Sequence, residues 1–185
     1  MKKDGKDPLM WEEVHTEHLI EDEWIDFRST SWKFPDGNVY GPFYSYSRRN
    51  YVVVVASDTD GNYLCVKQFR QGIRQITTEF PAGAIEGEDA FAAARRELLE
   101  ETGYESDEWK HLLTVPSDAT ISDNEAYLFL AKNCRKVSEQ NLDETEFMNV
   151  LKLSAEEIEK RIKEGQFQQA IHITAWLLAL REKGN

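Results

Sequence analysis

The chain has 185 residues, a length that suits one compact domain with a terminal appendage and buries about 70% of the unfolded surface without staples. It is 41% hydrophobic, 11% aromatic and 30% charged, and its 34 acidic against 22 basic residues leave a net charge of −12. Such a surface repels duplex DNA and RNA, which bind through Lys and Arg displacing phosphate counterions, so no nucleic-acid partner is expected. Cys65 and Cys134 show no C-x-x-C or disulfide spacing. With no signal-like apolar run at the start and no membrane-length apolar stretch, a reduced cytoplasmic setting is expected.

In chain order, residues 1–10 are charged and expected to fray. From Trp24 large residues alternate with small or polar ones around Pro35-Asp36-Gly37, which predicts a hairpin. Tyr51 to Ala56 is a β-branched run, followed by an Asp60-Gly61 turn and a second strand through Arg70. A short strand at Thr77–Phe80 is stopped by Pro81 and Gly83. Asp89 to Thr102 carries helix formers and ends at Gly103, a suitable residue for the left-handed position after a helix. "HLLTVP" and "AYLFLA" read as strands around the polar loop "SDATISDNE", and "SEQNLDETE" leads into a strand at "FMNVLKLS". Ser154 and Glu157 have capping-box spacing for a helix to about Gly165, and a last helix should run from about Gln168 to Arg181. Its Ile171, Ala175, Trp176, Leu177, Leu178 and Leu180 are apolar enough to pack on a sheet. Strands with helices inserted and appended predict a layered α/β domain, with residues 1–48 as an N-terminal β-extension and 49–185 as the main domain.

Turning by 100° per residue, Glu97, Glu100 and Glu101 share one sector of the predicted helix, and Ala90, Ala93 and Ala94 continue it. Like charges at these spacings repel by a few tenths of a kcal/mol per pair. A solvated acidic face would show the same spacing, but alanines stand where lysines would relieve the repulsion, leaving room for something bulky. Clustered carboxylates suit a hard cation, Mg²⁺ or Mn²⁺, rather than zinc. Cations held by few protein ligands generally bridge to substrate phosphates, so metal-assisted cleavage of a phosphoanhydride is the reading from the residues alone.

Extended, the stretch "EFPAGAIEGEDAFAAARRELLEETGY" resembles the Nudix box, G-x5-E-x7-R-E-U-x-E-E-x-G-U. Glu88, Arg96, Glu97, Leu98, Glu100, Glu101, Gly103 and Tyr104 all fall in register. One departure is that only four residues separate Gly83 from Glu88, so either Gly83 shifts or the turn tightens. Flanking segments resemble the ADP-ribose pyrophosphatase and nucleoside-diphosphate-sugar hydrolase branch over roughly residues 20–182.

The resemblance implies a Nudix α/β/α sandwich with a mixed sheet and an N-terminal antiparallel β-extension that dimerises. It implies Mg²⁺-dependent hydrolysis of a nucleoside diphosphate sugar, with Mn²⁺ as a substitute, giving a nucleoside monophosphate and a sugar phosphate. Glu97, Glu100 and Glu101 would bind metal together with the carbonyl of Ala82. Arg96 would orient the glutamates, and Glu88 and Gly83 would support them. The catalytic base would lie in "NLDETEF", at Glu144 with Glu146 behind it. Arg70 and Glu79 would contact substrate. Trp11, Trp24, Trp32 and Phe43 are candidates to stack on a base, though core or dimer-interface positions suit aromatics better. His15, His18, His111 and His172 receive no role. Where ADP-ribose enzymes of the branch often carry a proline, this chain has Ala119, which leaves GDP-mannose and other nucleotide sugars open. The alternative from another class is a non-catalytic module that senses a nucleotide sugar.

Overall fold

Val52, Val53, Val54, Val55 and Ala56 are all fully shielded from solvent, and their strand is the centre of the architecture. The computed structural model describes residues 7–182, so part of the expected frayed start lies outside the described residues. The elements are β1 (Glu12–Glu21), β2 (Asp26–Lys33), β3 (Val39–Ser47), β4 (Tyr51–Asp58), β5 (Tyr63–Arg70), β6 (Gln75–Glu79), β7 (Ala82–Ala84), α1 (Ala90–Thr102), β8 (Tyr104–Glu105), β9 (Glu108–Pro116), β10 (Glu125–Lys136), β11 (Met148–Leu153), α2 (Ala155–Lys163) and α3 (Ala170–Arg181). They fall into two compact units, one reaching to Arg49 and including Pro116–Asn124, the other Asn50–Val115 with the chain from Glu125 onward.

The larger unit holds an eight-stranded sheet of order β11-β5-β4-β10-β8, with β6 beside β5, β7 beside β4 and β9 beside β10. β10 runs parallel to β4, whereas β5, β7, β8 and β11 join antiparallel, so the sheet is mixed. Successive strand residues point to opposite faces. Val53 and Val55 therefore meet Ile158 of α2 and Ala175, Trp176 and Ala179 of α3. Val52, Val54 and Ala56 meet Ala93, Ala94 and Leu98 of α1. The result is the expected α/β/α sandwich. Burying each Val or Leu side chain is worth about 1.5–3 kcal/mol, so these two faces, rather than helix propensity, hold the layers.

The expected helix boundaries are observed. Ser154 accepts from Glu157 N–H, and the Glu157 carboxylate accepts from Ser154 N–H, completing the capping box of α2. In α3, Trp176 is fully buried and its indole N–H donates to Glu159 Oε1 at 2.6 Å. Leu177, expected on the sheet side, is 54% exposed instead.

A second correction concerns α1. The alanines beside its glutamates do not leave an open approach for a ligand. Ala93 and Ala94 are fully buried against the sheet, where their small size lets the helix approach β4 closely. Pattern alone shows which residues share a helix face, not what that face meets.

In the smaller unit β1, β2 and β3 form an antiparallel meander. Its β2–β3 turn is the expected one at Pro35-Asp36-Gly37, with Gly37 at φ 85°. The segment Pro116–Asn124 joins this unit through Tyr46 N–H to Ile121 C=O at 2.8 Å and Arg28 to Asp123 at 2.9 Å. Trp11 stacks on Phe34 with ring centres 3.8 Å apart, beside Trp32 and Phe43. Trp24 lies apart, 62% exposed, with the Arg49 guanidinium over its ring.

Candidate active site

α1 is fixed at both ends. Asp89 caps it by accepting from Phe91 and Ala92 N–H at 2.9 Å, a contribution of about 1 kcal/mol. Gly103 stops it in the left-handed conformation, φ 75°. Between the caps, Glu97 and Glu101 face the sheet and are buried, 7% and 2% exposed, while Glu100 is partly open to water.

The chain that meets these carboxylates comes from β6 and β7. Pro81 lies between strands that pair with different neighbours, β6 with β5 and β7 with β4, and its carbonyl accepts from Val54 N–H at 2.9 Å. This places Ala82 N–H on Glu101 Oε2 at 3.0 Å. Gly83 sits directly against Glu97, because a Cβ there would stand 2.1–2.4 Å from the carboxylate atoms. The short box loop closes in a turn that keeps Gly83 against Glu97. Gly87 takes φ 113° in that turn, and Glu86 N–H donates to Glu88 Oε2 at 3.1 Å.

Arg96 organises the rest. Its Nη1 donates to Glu97 Oε1 at 2.8 Å and Glu100 Oε2 at 2.9 Å. Its Nη2 donates to Glu88 Oε1 at 2.9 Å and the Ala84 carbonyl at 2.8 Å. A planar guanidinium with five donors can hold four acceptors in fixed directions, which an ammonium cannot.

Burial pushes the Glu97 carboxyl up to about 7, against the pull of Arg96. Burial pushes Glu101 well above the ordinary range, reinforced by the charges of Glu97 and Glu146. The negative charge of Glu146 also disfavours ionised Glu97 and favours charged Arg70. Glu144 and Glu146, the two loop glutamates expected as base, are both exposed, Glu144 in the turn just before Glu146. Asp143 N–H donates to Glu146 Oε2 at 3.2 Å and Glu146 N–H to Asp143 C=O at 3.0 Å.

Arg70 and Glu79, both expected at substrate, bond to each other. Arg70 Nε reaches Glu79 Oε1 at 2.9 Å and Nη2 reaches Oε2 at 2.5 Å. Glu79 is fully buried and also accepts from Thr77 Oγ1. Burial alone would raise its carboxyl, yet Arg70 holds it below the ordinary range. Glu79 thus aims Arg70, whose side chain keeps one third of its surface open.

Two contributors were not singled out from sequence. His172, buried on α3, accepts at Nδ1 from Phe80 N–H at 3.1 Å and so braces the β6–β7 connection; burial pushes its imidazole down to about 4. Gln140 donates from Nε2 to the Glu101 carbonyl at 2.7 Å. An isolated amide or imidazole carries no spacing signal that would have found either.

Among the described residues no three His, Cys, Asp or Glu side chains form a ready-made metal cage. The donor set nonetheless fits a hard divalent cation. Glu97 and Glu101 are buried oxygen donors whose negative charge the protein alone does not favour, and a cation between them would favour it. Gly83→Ala tests how closely Glu97 must be held. The added methyl displaces the carboxylate head of a flexible side chain, so kcat should fall about a hundredfold while Tm moves little. An unchanged kcat would mean that Glu97 needs no fixed position.

An acid-rich helix ending in R-E-L-L-E-E-T-G, packed on a mixed sheet with its glutamates tied by one arginine, defines a family, and residues 47–177 match it: this chain belongs to the NUDIX domain family. Curated relatives include the methanol dehydrogenase activator of Bacillus methanolicus, 35% identical over 61% of this chain and 62% of its own length. The ADP-ribose pyrophosphatase of Bacillus subtilis (strain 168) is 32% identical over 64% of this chain and 65% of its own. The ADP-sugar pyrophosphatase of Mus musculus is 33% identical over 51% and 49%. The chain thus spans between about half and two thirds of the length of these relatives. A solved structure described as an ADP compounds hydrolase superposes with a TM-score of 0.84 over 97% of this chain and 98% of its own at 19% identity, a likeness of fold. Among the described residues no helix is long and apolar enough to cross a membrane.

Proposed function

We propose that the protein is a pyrophosphohydrolase that cleaves the diphosphate of a nucleoside diphosphate sugar, with ADP-ribose or another ADP-sugar first and GDP-mannose next. The observation that carries this reading is the buried pair Glu97 and Glu101, the first fixed by Arg96 and the second by Ala82 N–H. Glu97, Glu100, Glu101 and the Ala82 carbonyl would hold Mg²⁺, or Mn²⁺ in its place. Bound there, the cation supplies charge neutralisation for a diphosphate and lowers the pKa of a coordinated water. Glu146 takes the proton from the attacking water, in preference to Glu144. Arg96, with Glu88, keeps the glutamates apart and aimed. Arg70, held by Glu79, offers its open edge to a phosphate or ribose oxygen.

The protein works in the cytoplasm on a small-molecule substrate, with neither nucleic acid nor membrane as partner. Residues 49–185 form the catalytic domain, and residues 1–48 pair it into a homodimer. Support for that assignment comes from exposed apolar side chains on the three-stranded sheet: Val14, Ile20, Val39, Tyr40 and Tyr44 are each 45–56% exposed.

The test is a product analysis of ADP-ribose, GDP-mannose, UDP-glucose and dGTP with and without Mg²⁺. Mg²⁺-dependent release of nucleoside monophosphate and sugar phosphate is expected, fastest for an ADP-sugar. Binding of a nucleotide sugar without cleavage would replace this reading by a sensing module.

A further inference from the structure

The last turn of a helix leaves four carbonyls without partners inside the helix. In α1 the segment after β10 takes up two of them, those of Glu100 and Glu101, and also bonds to Gly103 just beyond the helix. Val137 and Ser138 N–H both donate to the Gly103 carbonyl, at 2.9 and 3.2 Å. Asn141 N–H donates to the Glu100 carbonyl at 2.9 Å, and Gln140 Nε2 donates to the Glu101 carbonyl at 2.7 Å. The approach is close enough that a Cβ on Gly103 would lie 2.1 Å from the Ser138 carbonyl oxygen. Among the bonds from this segment to Gly103, Glu100 and Glu101, the Gln140 one is made by a side chain. Five residues beyond Asn141 the chain reaches Glu146, through the turn that Asp143 and Glu146 close on each other.

We propose that Gln140 is a positioning residue: it ties the root of the Glu146 loop to the last turn of α1 and so sets where Glu146 stands relative to Glu97 and Glu101. This rests on the reading of Glu146 as the base. Glu146 itself is exposed, so its place relative to Glu97 and Glu101 is set from the root of its loop, where Gln140 and Asn141 bond to α1. The Gln140 amide donates to the backbone carbonyl of Glu101, so loop and carboxylates are held in one frame.

The experiment compares kcat, KM, Mg²⁺ dependence and Tm for Gln140→Ala, Glu146→Gln and the double variant, with the substrate cleaved fastest by the unaltered protein. Gln140→Ala should lower kcat about tenfold, the equivalent of one hydrogen bond, with KM and Mg²⁺ dependence unchanged. In the Glu146→Gln background the same change should cost less than about twofold, because the tether then has nothing left to position. A full tenfold loss in both backgrounds, or no loss in the first, overturns the proposal. If Glu146→Gln alone leaves kcat intact, the base assignment fails, and the proposal with it. Should Gln140→Ala lower Tm substantially, Gln140→Lys restores a donor to the Glu101 carbonyl and must recover kcat; failure to recover it counts against the tether.

Discussion

Glu101→Gln should lower kcat about a thousandfold, while the folded protein becomes no less stable. Glutamine keeps an oxygen for Ala82 N–H, so the contact that seats the β6–β7 connection survives. What is lost is the negative charge, and without a cation that charge is a burden. Glu101 is 2% exposed, and the charges of Glu97 and Glu146 both disfavour its ionised form. Removing one preorganised electrostatic group at a reacting centre typically costs about 10²–10³ in kcat, and loss of a metal ligand belongs at the upper end. A thermal melt with and without Mg²⁺ supplies the second readout. A ligand that binds only the folded state stabilises it by RT ln(1 + [L]/Kd), so the Mg²⁺-dependent rise in Tm should shrink sharply in the variant. Full activity together with an undiminished Mg²⁺ response would refute the assignment of Glu101 as a ligand.

The site was legible where chemistry demands fixed spacing along one element. Arg96, Glu97, Glu100 and Glu101 lie on a single helix, bounded by Asp89 and Gly103, residues whose capping roles follow from their own side chains. The capping box at Ser154 and Glu157 was legible for the same reason. What escaped were relations between elements. The alanine stripe of α1 looked open because periodicity does not say which face meets the sheet. β1 was missed because Glu12–Glu21 is largely charged and exposed, and its strand character comes from backbone pairing with β2 rather than from a buried face. β7 and β8 are three and two residues long, too short for any period to register. The union of Arg70 with Glu79 runs on a diagonal across two paired strands.

That union makes a second large effect predictable. Arg70→Ala strips a fully buried carboxylate of its main partner, leaving Glu79 with Thr77 Oγ1. Breaking a buried pair from one side typically costs about 3–5 kcal/mol; one third of the Arg70 side chain is open to water, which favours the lower end, about 3 kcal/mol. For a chain of this length that is a fall in Tm of roughly 6–12 °C. The loss should depend on pH in a defined direction. Without Arg70, burial raises the folded-state carboxyl of Glu79 above its unfolded value, so the folded protein binds the extra proton. Stability then falls as pH rises from the ordinary carboxylate range through that raised value, and the deficit of the variant should grow over that rise. Adding Glu79→Gln removes the stranded charge and should restore most of the stability. Activity separates the two roles of the pair. If Arg70 touches substrate, the double variant regains its Tm but not its kcat/KM. If stability and kcat/KM return together, Arg70 is part of the scaffold and the substrate contact lies elsewhere.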